Sequence, residues 1–249
     1  MRFENKVAVV TGGGQGIGEG YAKALAKEGA SIVIAELAEE QGARVAREIS
    51  EAGGKAVFVR TDVSSEESTL AMGEAAVSAF GGVDYLVNNA AIYGNMELHG
   101  LLGVPWDYYK NFMSVNMDGC VLATRAVHES MAERGGGAIV NQSSAAAWMG
   151  AGYYGIAKLG MHAITHSLAR ELGPKNIRVN AIAPGPTDTE ATRKVVPDFI
   201  KDQILSSMPL SRMGEVGDMV KACLFLLSDD AGWITAQILA VDGGQIMRA

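Results

Sequence analysis

The feature that most constrains the fold of this chain is a repeated alternation of short apolar runs with longer amphipathic stretches. The short runs are rich in Val and Ile, and seven of them are predicted as strands: Lys6–Thr11, Ser31–Glu36, Ala56–Arg60, Tyr85–Asn88, Ala138–Gln142, Arg178–Ala183 and Ile238–Val241. Between them, helices are predicted to begin at Gly16, Ala38, Glu66, Trp106, Tyr153 and Glu215. This alternation predicts an α/β fold with helices on both faces of a mostly parallel sheet. Since no linker or repeat divides the sequence, we predict that residues 1–249 form a single doubly wound (Rossmann) domain with a seven-stranded sheet.

Local signals refine this pattern at three places. Ser64 and Glu67 have the spacing of a capping box at the start of the third helix, and Pro105 directly precedes the fourth. The stretch 184–214 departs from the alternation and is long for a plain connection. We predict that residues 185–213, approximately, form a lid over a binding site.

The segment from Thr11 to Gly18 is rich in glycine and joins the first predicted strand to the first predicted helix. Glycine lets the backbone approach a ligand closely, and a helix N-terminus offers N–H groups and partial positive charge to a phosphate. The spacing is T-G-x-x-x-G-x-G rather than G-x-G-x-x-G, because Glu19 occupies the position of a third glycine. Gly12, Gly16 and Gly18 are therefore candidates for dinucleotide binding, although such a loop taken alone is more often an ordinary turn.

Ligands of doubly wound sheets bind at the carboxyl ends of the strands, and Glu36 ends the second strand. An acidic side chain there can accept hydrogen bonds from both ribose hydroxyls of an adenosine, and it repels a 2′-phosphate. Gln15 and Leu37 stand where a basic residue would bind that phosphate, so the sequence favours NAD over NADP. The alternative is a solvated carboxylate close to a helix start.

Two more strand ends carry candidate ligand contacts. Asp62 follows the third strand and could hydrogen-bond an adenine amino group, with Val63 beside it. The fourth strand ends in Asn88-Asn89-Ala90-Ala91, whose amides and small side chains suit a backbone that passes close to a ligand. By itself such a tetrapeptide is more typical of a plain turn.

Composition narrows the class of protein. Hydrophobic residues make up 48% of the 249-residue chain, which excludes a disordered protein, and the net charge of −7 disfavours binding to a phosphate backbone. The polar N-terminus does not resemble a signal peptide, and no uncharged apolar run approaches the roughly 18 residues that span a bilayer. Cys120 and Cys223 lie far apart in apolar helical contexts and are expected to be buried free thiols. We predict a cytoplasmic protein that binds neither nucleic acid nor membrane.

Two serines and a tyrosine–lysine pair are the candidates for chemistry. Ser143 and Ser144 follow the fifth strand, and the next helix carries Tyr154 and Lys158. Residues four apart share a helix face with Cβ atoms roughly 6 Å apart, so an ammonium can lie below a phenol. An adjacent cation and a hydrogen bond can lower the pKa of tyrosine from about 10 towards neutrality. A lone Tyr-x-x-x-Lys pair is weak evidence, because helices contain such pairs by chance.

In combination, these motifs resemble those of the short-chain dehydrogenase/reductases. Besides the glycine loop, the matching segments are Asn88-Asn89-Ala90-Ala91, Ser114-Val115-Asn116, Ser144, Tyr154-x-x-x-Lys158, Pro184-Gly185 and Val241-Asp242-Gly243-Gly244. They follow the order of the family over essentially the whole chain. The resemblance implies a Rossmann-fold enzyme that transfers a hydride between a nicotinamide cofactor and a secondary alcohol or ketone.

The resemblance also implies the roles of individual residues. Tyr154 would exchange a proton with the substrate oxygen, and Lys158 would lower its pKa and bind the nicotinamide ribose. Ser144 would hydrogen-bond the substrate oxygen, Asn116 would hold a water connecting Lys158 to solvent, and Thr189 would bind the nicotinamide carboxamide. The residues expected to bind NAD are Gly12, Gln15, Gly16, Ile17, Gly18, Glu36, Leu37, Asp62, Val63, Asn89, Ala90, Ala91, Tyr154, Lys158, Pro184, Gly185, Thr187 and Thr189.

Three positions depart from the family pattern. Tyr154 lies only ten positions after Ser144, fewer than is usual, so the loop 148–152 is shortened and Ser143 becomes a second, less favoured candidate for the serine role. Thr187 stands where Ile or Val is common, although its backbone could serve equally. Ala236 replaces the usual glycine near the C-terminus.

Other side chains have weaker functional interpretations. His162 and His166 have a spacing that could bind a metal, but no third ligand accompanies them, and we predict no metal site. Tyr153 lacks a paired cation and could line the substrate pocket. Several side chains fall in loops expected around the nicotinamide, and they indicate an apolar substrate unless they merely pack in the core: Met96, His99, Trp148, Met149, Met208 and Met213.

We therefore predict an NAD-dependent dehydrogenase/reductase for an apolar cyclic, aromatic or acyl alcohol or ketone. One alternative is a 3-oxoacyl reductase, which would prefer NADPH and dock a carrier protein; Glu36 with Leu37 argues against it. The other is a non-catalytic NAD-binding sensor or scaffold, which the complete set of four catalytic candidates disfavours. The resemblance implies a homotetramer, assembled through the helices beginning near Trp106 and Tyr153 and through the C-terminal strand.

Overall fold

The computed structural model describes residues 1–196 and 198–247, except for the side chains of residues 198–200. In this part of the chain, seven strands form one parallel sheet with the order β3-β2-β1-β4-β5-β6-β7. The strands are β1 Val7–Thr11, β2 Ser31–Glu36, β3 Lys55–Arg60, β4 Tyr85–Asn88, β5 Gly137–Gln142, β6 Ile177–Pro184 and β7 Ile238–Val241. Each predicted strand is confirmed, with ends that differ by at most one residue. The fold class is therefore the predicted Rossmann-type α/β fold.

The helices alternate with these strands as the periodicity predicts. They are α1 Gly16–Lys27, α2 Glu39–Glu51, α3 Glu66–Phe80, α4 Trp106–Met113, α5 Gly119–Glu133, α6 Gly152–Leu172, α7 Glu190–Val195, α8 Asp198–Ser207 and α9 Val216–Leu227. The six predicted helix starts agree to within one residue. The short helices α7 and α8 lie in the segment predicted as a lid, for which the sequence analysis predicts no helix.

Two apolar cores cover the two faces of the sheet. On one face, α1, α2 and α9 pack against the strands through residues that include Tyr21, Val45 and Cys223. On the other face, α3, α5 and α6 contribute Met72, Val127 and Leu172 among others. Because both faces are covered, the strands are apolar on both sides, and polar groups concentrate at their carboxyl ends.

One helix-capping prediction is wrong. The N-cap of α3 is Ser65, whose Oγ accepts a hydrogen bond from the backbone N–H of Ser68 at 3.3 Å. Ser64 instead donates its hydroxyl to Oδ1 of Asp62 at 2.6 Å. This bond turns the Ser64 side chain back towards Asp62, and the Oγ of Ser65 accepts the N–H in the first turn of α3.

The helix predicted from Trp106 is interrupted without being broken. Helices α4 and α5 are joined by a π-helical turn over Ser114–Asp118, so the helical run continues from residue 106 to 133. π turns insert one extra residue per turn and are frequent at functional sites. This one contains Asn116.

The edge of the sheet at the carboxyl ends of the strands positions the site. The strand order reverses between β1 and β4, which opens a crevice at that edge. Described residues of the segment 185–213, among them Gly185, Thr192 and Met213, border the crevice, and a β-bridge joins Thr187 to Gly214 near the two ends of the segment. The role of this segment as a lid stays a prediction. That residues 1–249 form a single domain also stays a prediction.

Candidate active site

A cavity of about 660 Å³ occupies the crevice at the carboxyl ends of the strands. Its wall runs from the glycine loop and the end of β2 to the start of α6 and the segment after β6. The volume falls in the range typical of cofactor and small-molecule sites. The cavity therefore lies where the strand-end analysis expects a ligand.

Seventeen of the eighteen predicted cofactor-binding residues line this cavity. The exception is Gly18, which is buried where α1 meets the glycine loop. A Cβ atom at this position would collide with the carbonyl oxygen of Gly12 and with the side-chain amide of Asn89. Gly18 therefore allows close packing of the helix against the loop, and its contact with the cofactor stays a prediction.

The glycine loop is held in shape by residues that follow β4. The Asn89 side chain donates from Nδ2 to the carbonyl oxygens of Thr11 and Gly12, each at 3.0 Å. The Thr11 hydroxyl in turn accepts the backbone N–H groups of Asn89 and Ala90 at 3.0 and 3.1 Å. Gly12 and Gly16 have φ values of 62° and 56°, which favour glycine. The amide of Asn89 thus has a structural task in addition to its place on the cavity wall.

Glu36 lies at one end of the cavity and is already hydrogen-bonded. Its Oε1 accepts the N–H groups of Leu37 and Ala38, and its Oε2 accepts the N–H of Gly14 at 3.1 Å. A carboxylate has about four acceptor positions, so three are occupied by backbone donors. Glu36 can therefore accept fewer hydrogen bonds from a ribose than the sequence suggests. Its carboxylate still contributes negative charge to the cavity wall.

Asp62 is also partly engaged. Its Oδ1 accepts both the backbone N–H and the hydroxyl of Ser64, at 2.9 and 2.6 Å. Asp62 and Val63 both line the cavity beside Leu37. These residues form the end of the site that lies over β2 and β3.

Tyr154 and Lys158 lie at the opposite end, over β5. The Lys158 Nζ is 5.9 Å from the centroid of the Tyr154 ring and donates to the carbonyl oxygen of Gln142 at 2.8 Å. Both residues line the cavity, which confirms that the i, i+4 spacing brings them together at one site.

The pKa values of this pair reflect their burial. Burial raises the pKa of the Tyr154 phenol well above its ordinary value of 10, although a hydrogen bond with Ser144 acts in the opposite direction. Burial also lowers the pKa of Lys158 from 10.5 to about 8. The expected lowering of the tyrosine pKa is therefore not found, because desolvation of the phenolate outweighs its interactions with the surrounding protein.

The structure distinguishes the two candidate serines. Ser143 is buried, donates its hydroxyl to the carbonyl oxygen of Lys158 at 3.0 Å, and lies 2.8 Å from Nε2 of His162. Ser144 begins the short 3₁₀ helix Ala145–Trp148, and its hydroxyl hydrogen-bonds Tyr154. Of the two hydroxyls, Ser144 is thus the one placed beside the phenol.

Asn116 does not line the main cavity. Its side-chain amide accepts the N–H of Ile92 at 2.6 Å and donates to the carbonyl oxygen of Ile92 at 3.0 Å. It borders a separate cavity of about 10 Å³, to which Asn88 also contributes. The water-holding role of Asn116 stays a prediction, and the geometry shows an additional role in fixing the segment after β4.

Several side chains expected around the substrate lie elsewhere. Tyr153 is buried and donates its hydroxyl to the carbonyl oxygen of Glu97, so its proposed place in the pocket is wrong. The Trp148 ring packs on His162, with centroids 4.8 Å apart. Of the six loop residues that indicated an apolar substrate, only Met149 and Met213 line the cavity.

Other cavity residues were missed by the sequence analysis. Tyr93 packs 5.5 Å from the Tyr154 ring and hydrogen-bonds Thr192 of α7, which links the loop after β4 to the predicted lid. Gln142 ends β5 and also lines the cavity. No spacing or motif marks either residue, because their places depend on contacts between distant segments.

The two histidines of the candidate metal pair lie in different environments. His162 is buried beside Ser143, whereas His166 is exposed on the same helix. In the part of the chain that the structure describes, no group of three or more His, Cys, Asp or Glu residues could hold a metal ion. The prediction that the chain uses no metal stays a prediction.

Comparison with known proteins decides the family. Residues 12–245 match a family model described as enoyl-(acyl carrier protein) reductase. The chain is 60% identical over 247 residues to an uncharacterized oxidoreductase of Mycobacterium tuberculosis, covering 99% of this chain and 100% of that one. This chain is a short-chain dehydrogenase/reductase.

Two further relatives have named activities. A 3-oxoacyl-[acyl-carrier-protein] reductase of Chlamydia muridarum is 37% identical over 244 residues, covering 96% of this chain and 97% of that one. A solved 7α-hydroxysteroid dehydrogenase, in complex with NADH and 7-oxo glycochenodeoxycholic acid, has a TM-score of 0.92 and 34% identity, covering 99% of this chain and 96% of that one. This short-chain dehydrogenase/reductase is accordingly an oxidoreductase that uses a nicotinamide cofactor on alcohols and ketones.

Proposed function

We propose that this enzyme is an NAD-dependent dehydrogenase/reductase for an apolar secondary alcohol or ketone. The observation that carries the proposal is the grouping of Ser144, Tyr154 and Lys158 at one end of a cavity whose other end holds Glu36. A dinucleotide that spans this cavity brings its nicotinamide to the hydroxyls and its adenosine to the carboxylate.

The residues present fit such a dinucleotide. The glycine loop leaves open space at Gly16, where an added Cβ would meet nothing within 4 Å, directly at the N-terminus of α1. Backbone N–H groups and the helix dipole there suit a pyrophosphate. We assign Lys158 and Thr189 to the nicotinamide side, and Leu37, Asp62 and the carboxylate of Glu36 to the adenosine side; all five residues line the cavity. When bound, the nicotinamide accepts or supplies the hydride.

The protein side of the reaction is proton transfer at one oxygen. Because burial keeps the pKa of Tyr154 high, the phenol carries its proton at neutral pH and can donate it to a carbonyl oxygen during reduction. Ser144 hydrogen-bonds the same oxygen as negative charge develops. In the oxidative direction Tyr154 takes the proton back, and the positive charge of Lys158 stabilises the phenolate that precedes this transfer.

NAD is favoured over NADP by charge at the adenosine end. The carboxylate of Glu36 opposes the 2′-phosphate of NADP, and neither Gln15 nor Leu37 supplies a balancing positive charge. Arg44 reaches this region, donating to the carbonyl oxygen of Gly14 at 3.0 Å, but it is paired with Glu19 and Glu48. The solved relative with NADH is consistent with this preference.

The second candidate is a 3-oxoacyl reductase, supported by the chlamydial relative. Its chemistry at Tyr154 and Ser144 is the same, so the two candidates differ in cofactor and in substrate. The charge of Glu36 argues against NADPH and places this candidate second. A non-catalytic NAD sensor ranks third, because the hydroxyls and the ammonium are assembled at one site.

Assembly, location and closure complete the proposal. The enzyme is proposed to be a cytoplasmic homotetramer whose segment 185–213 closes over the cavity, and it is proposed to bind neither nucleic acid nor membrane. None of the helices that the structure describes is long and apolar enough to cross a membrane. The exposed apolar residues Ile156 and Leu159 on α6, and Phe225 on α9, support association between copies.

The decisive experiment compares two neighbouring tyrosines. Purified enzyme is assayed for NAD reduction with alicyclic, aromatic, steroid and hydroxyacyl alcohols. The reverse reaction is assayed with NADPH, the cofactor that a 3-oxoacyl reductase would prefer. For the best substrate, Tyr154→Phe is expected to reduce kcat at least about a hundredfold with unchanged NADH affinity, because general acid–base catalysis contributes roughly that much. Tyr153→Phe is the matched control and retains turnover, since its hydroxyl bonds Glu97 outside the cavity. Equal activity of wild type and Tyr154→Phe would contradict the proposal.

A further inference from the structure

We propose that Gln142 is a binding residue for the nicotinamide half of the dinucleotide, to which its side-chain amide donates a hydrogen bond. The inference rests on the proposed function, because it takes the ligand of the cavity to be a nicotinamide dinucleotide. It concerns a residue at the end of β5 that lines the cavity but belongs to none of the motifs.

A hydrogen bond from Tyr21 orients the side-chain amide of Gln142. The Tyr21 hydroxyl donates to Oε1 of Gln142 at 2.7 Å, and Tyr21 itself is fully buried on the inner face of α1. Since Oε1 is held by this donor, the –NH₂ group must point away from Tyr21. In this arrangement the planar amide presents its Nε2 donor on the side opposite the Tyr21 hydroxyl.

The free end of this amide faces the cavity. In the described part of the chain, Asn88 Oδ1 is the only fully buried side-chain nitrogen or oxygen that lacks a hydrogen-bond partner. Among the described residues, none hydrogen-bonds the Nε2 of Gln142, and this atom is not one of the fully buried atoms without a partner, so it retains accessible surface. Gln142 is 7% exposed, and the open space beside it is the cavity. A donor at this place points to a ligand that supplies an acceptor.

The position of Gln142 in the sheet indicates that it contacts the nicotinamide half of the dinucleotide. From β2, which carries Glu36, the sheet order runs through β1 and β4 to β5. Three strand spacings separate the two residues, or about 14 Å. The main-chain carbonyl of Gln142 accepts Nζ of Lys158, so this residue lies on the same side as the catalytic group. The acceptor is therefore an oxygen of the nicotinamide or of its ribose, at the end of the ligand far from adenosine.

The test compares ligands that contain or lack the nicotinamide half. Gln142→Met keeps the side-chain length and the main-chain carbonyl that holds Lys158, but it removes the amide. We expect NADH to bind this variant about five- to tenfold more weakly than wild type, the usual effect of one hydrogen bond, with ADP affinity unchanged. Dissociation constants are measured by calorimetry or by NADH fluorescence.

Tyr21→Phe is the second variant and lies outside the cavity. It leaves the amide in place but removes the donor that orients it, so we expect a loss of roughly two- to threefold for NADH and none for ADP. Since both changes act on one hydrogen bond, the double variant should bind NADH no more weakly than Gln142→Met alone. A crystal structure with NADH supplies an independent readout, in which Nε2 is expected within about 3.2 Å of a nicotinamide-side oxygen.

Three outcomes would overturn the proposal. The first is NADH binding by Gln142→Met within twofold of wild type, and the second is an equal loss of NADH and ADP affinity, which indicates a general disturbance of the site. The third is an Nε2 atom that contacts no ligand oxygen in the NADH complex. Failure of wild type to bind NADH would overturn the proposed function as well, so the two failures are distinguishable.

Discussion

Lys158 lies in an environment unlike that of an ordinary lysine side chain. It is 2% exposed, and its Nζ donates to one main-chain carbonyl rather than to a carboxylate. Burial without a counter-charge favours the neutral amine, which lowers its pKa to about 8. Burial also disfavours the charged form of the nearby Cys120 thiol, and it therefore raises the pKa of this acid to about 12.

This shift predicts a specific pH dependence of stability. Between pH 8 and about 10.5 the unfolded chain binds the Lys158 proton and the folded chain does not, so the free energy of unfolding rises with pH over this window. Below pH 8 both states are protonated and the full cost of burying the charge is present. Relative to Lys158→Met, wild type should gain stability from pH 7.5 to 10, by up to roughly 1.4 kcal/mol per unit of pKa shift. Urea unfolding at fixed protein concentration measures this gain, and parallel pH profiles of the two proteins would argue against it.

Glu36 is the residue that decides cofactor preference in the proposed function. The double substitution Glu36→Ala with Leu37→Arg removes a negative charge and adds a positive one, so the ratio of kcat/KM for NADP over NAD should rise on the order of tenfold or more. Activity with both cofactors is expected to fall somewhat, because Glu36 also holds the backbone of Gly14 and the start of α2. Leu37→Arg alone is the control and should shift the ratio less. An unchanged ratio in the double variant would show that Glu36 does not read the ribose.

At the scale of elements, the connection into β7 contains a strained backbone. Ala236 has a φ of 59°, in the left-handed region that favours glycine, and its N–H donates to the carbonyl oxygen of Val179 in β6 at 2.8 Å. The hydrogen bond holds the residue there, although a Cβ in this conformation costs roughly 1–2 kcal/mol. The family pattern, which has glycine at this position, is thus explained by backbone geometry.

We therefore expect Ala236→Gly to stabilise the protein. Relief of the strain exceeds the extra entropy of glycine in the unfolded chain, with a net gain of up to about 1 kcal/mol. Thermal unfolding should show a rise in Tm of about 2–4 °C for a chain of this length. Ala132→Gly, within the regular helix α5, is the matched control and should lower Tm. A lower Tm for Ala236→Gly would mean that loss of the methyl group outweighs the strain.

At the scale of the whole molecule, exposed apolar side chains identify candidate faces for assembly. Ile156 and Leu159 are 40% and 51% exposed and lie three residues apart on α6, so they share a face. Phe225 of α9 and Leu239 of β7 are each 38% exposed at another part of the surface. Two separate apolar faces per copy are what a tetramer of paired dimers requires.

We therefore expect that disruption of one of these two faces converts the tetramer into a dimer. Sedimentation is expected to give a tetramer for wild type and a dimer for Leu159→Glu, because a charge buried in an apolar interface is costly. Leu102→Glu changes a fully exposed leucine in the loop before α4 and should leave the mass unchanged. A monomeric wild type, or a tetrameric Leu159→Glu protein, would contradict the proposed assembly through α6.

By itself the sequence determined the local structure of this protein and the neighbourhood of its site. Strand and helix periodicity depends on residues a few positions apart, so all seven strands were predicted to within one residue. The carboxyl ends of those strands meet at one edge of a parallel sheet, and the residues there line one cavity as expected.

Only the tertiary structure decided which of the neighbouring groups face the cavity. Ser144 and Tyr154 are beside each other, while the adjacent Ser143 and Tyr153 are held by the carbonyls of Lys158 and Glu97. The direction of the pKa shift of Tyr154 and the orientation of Gln142 by Tyr21 likewise depend on burial and on partners distant in the chain. Spacing along a sequence can place a side chain near a site, but its hydrogen-bond partner and its desolvation are properties of the packed fold.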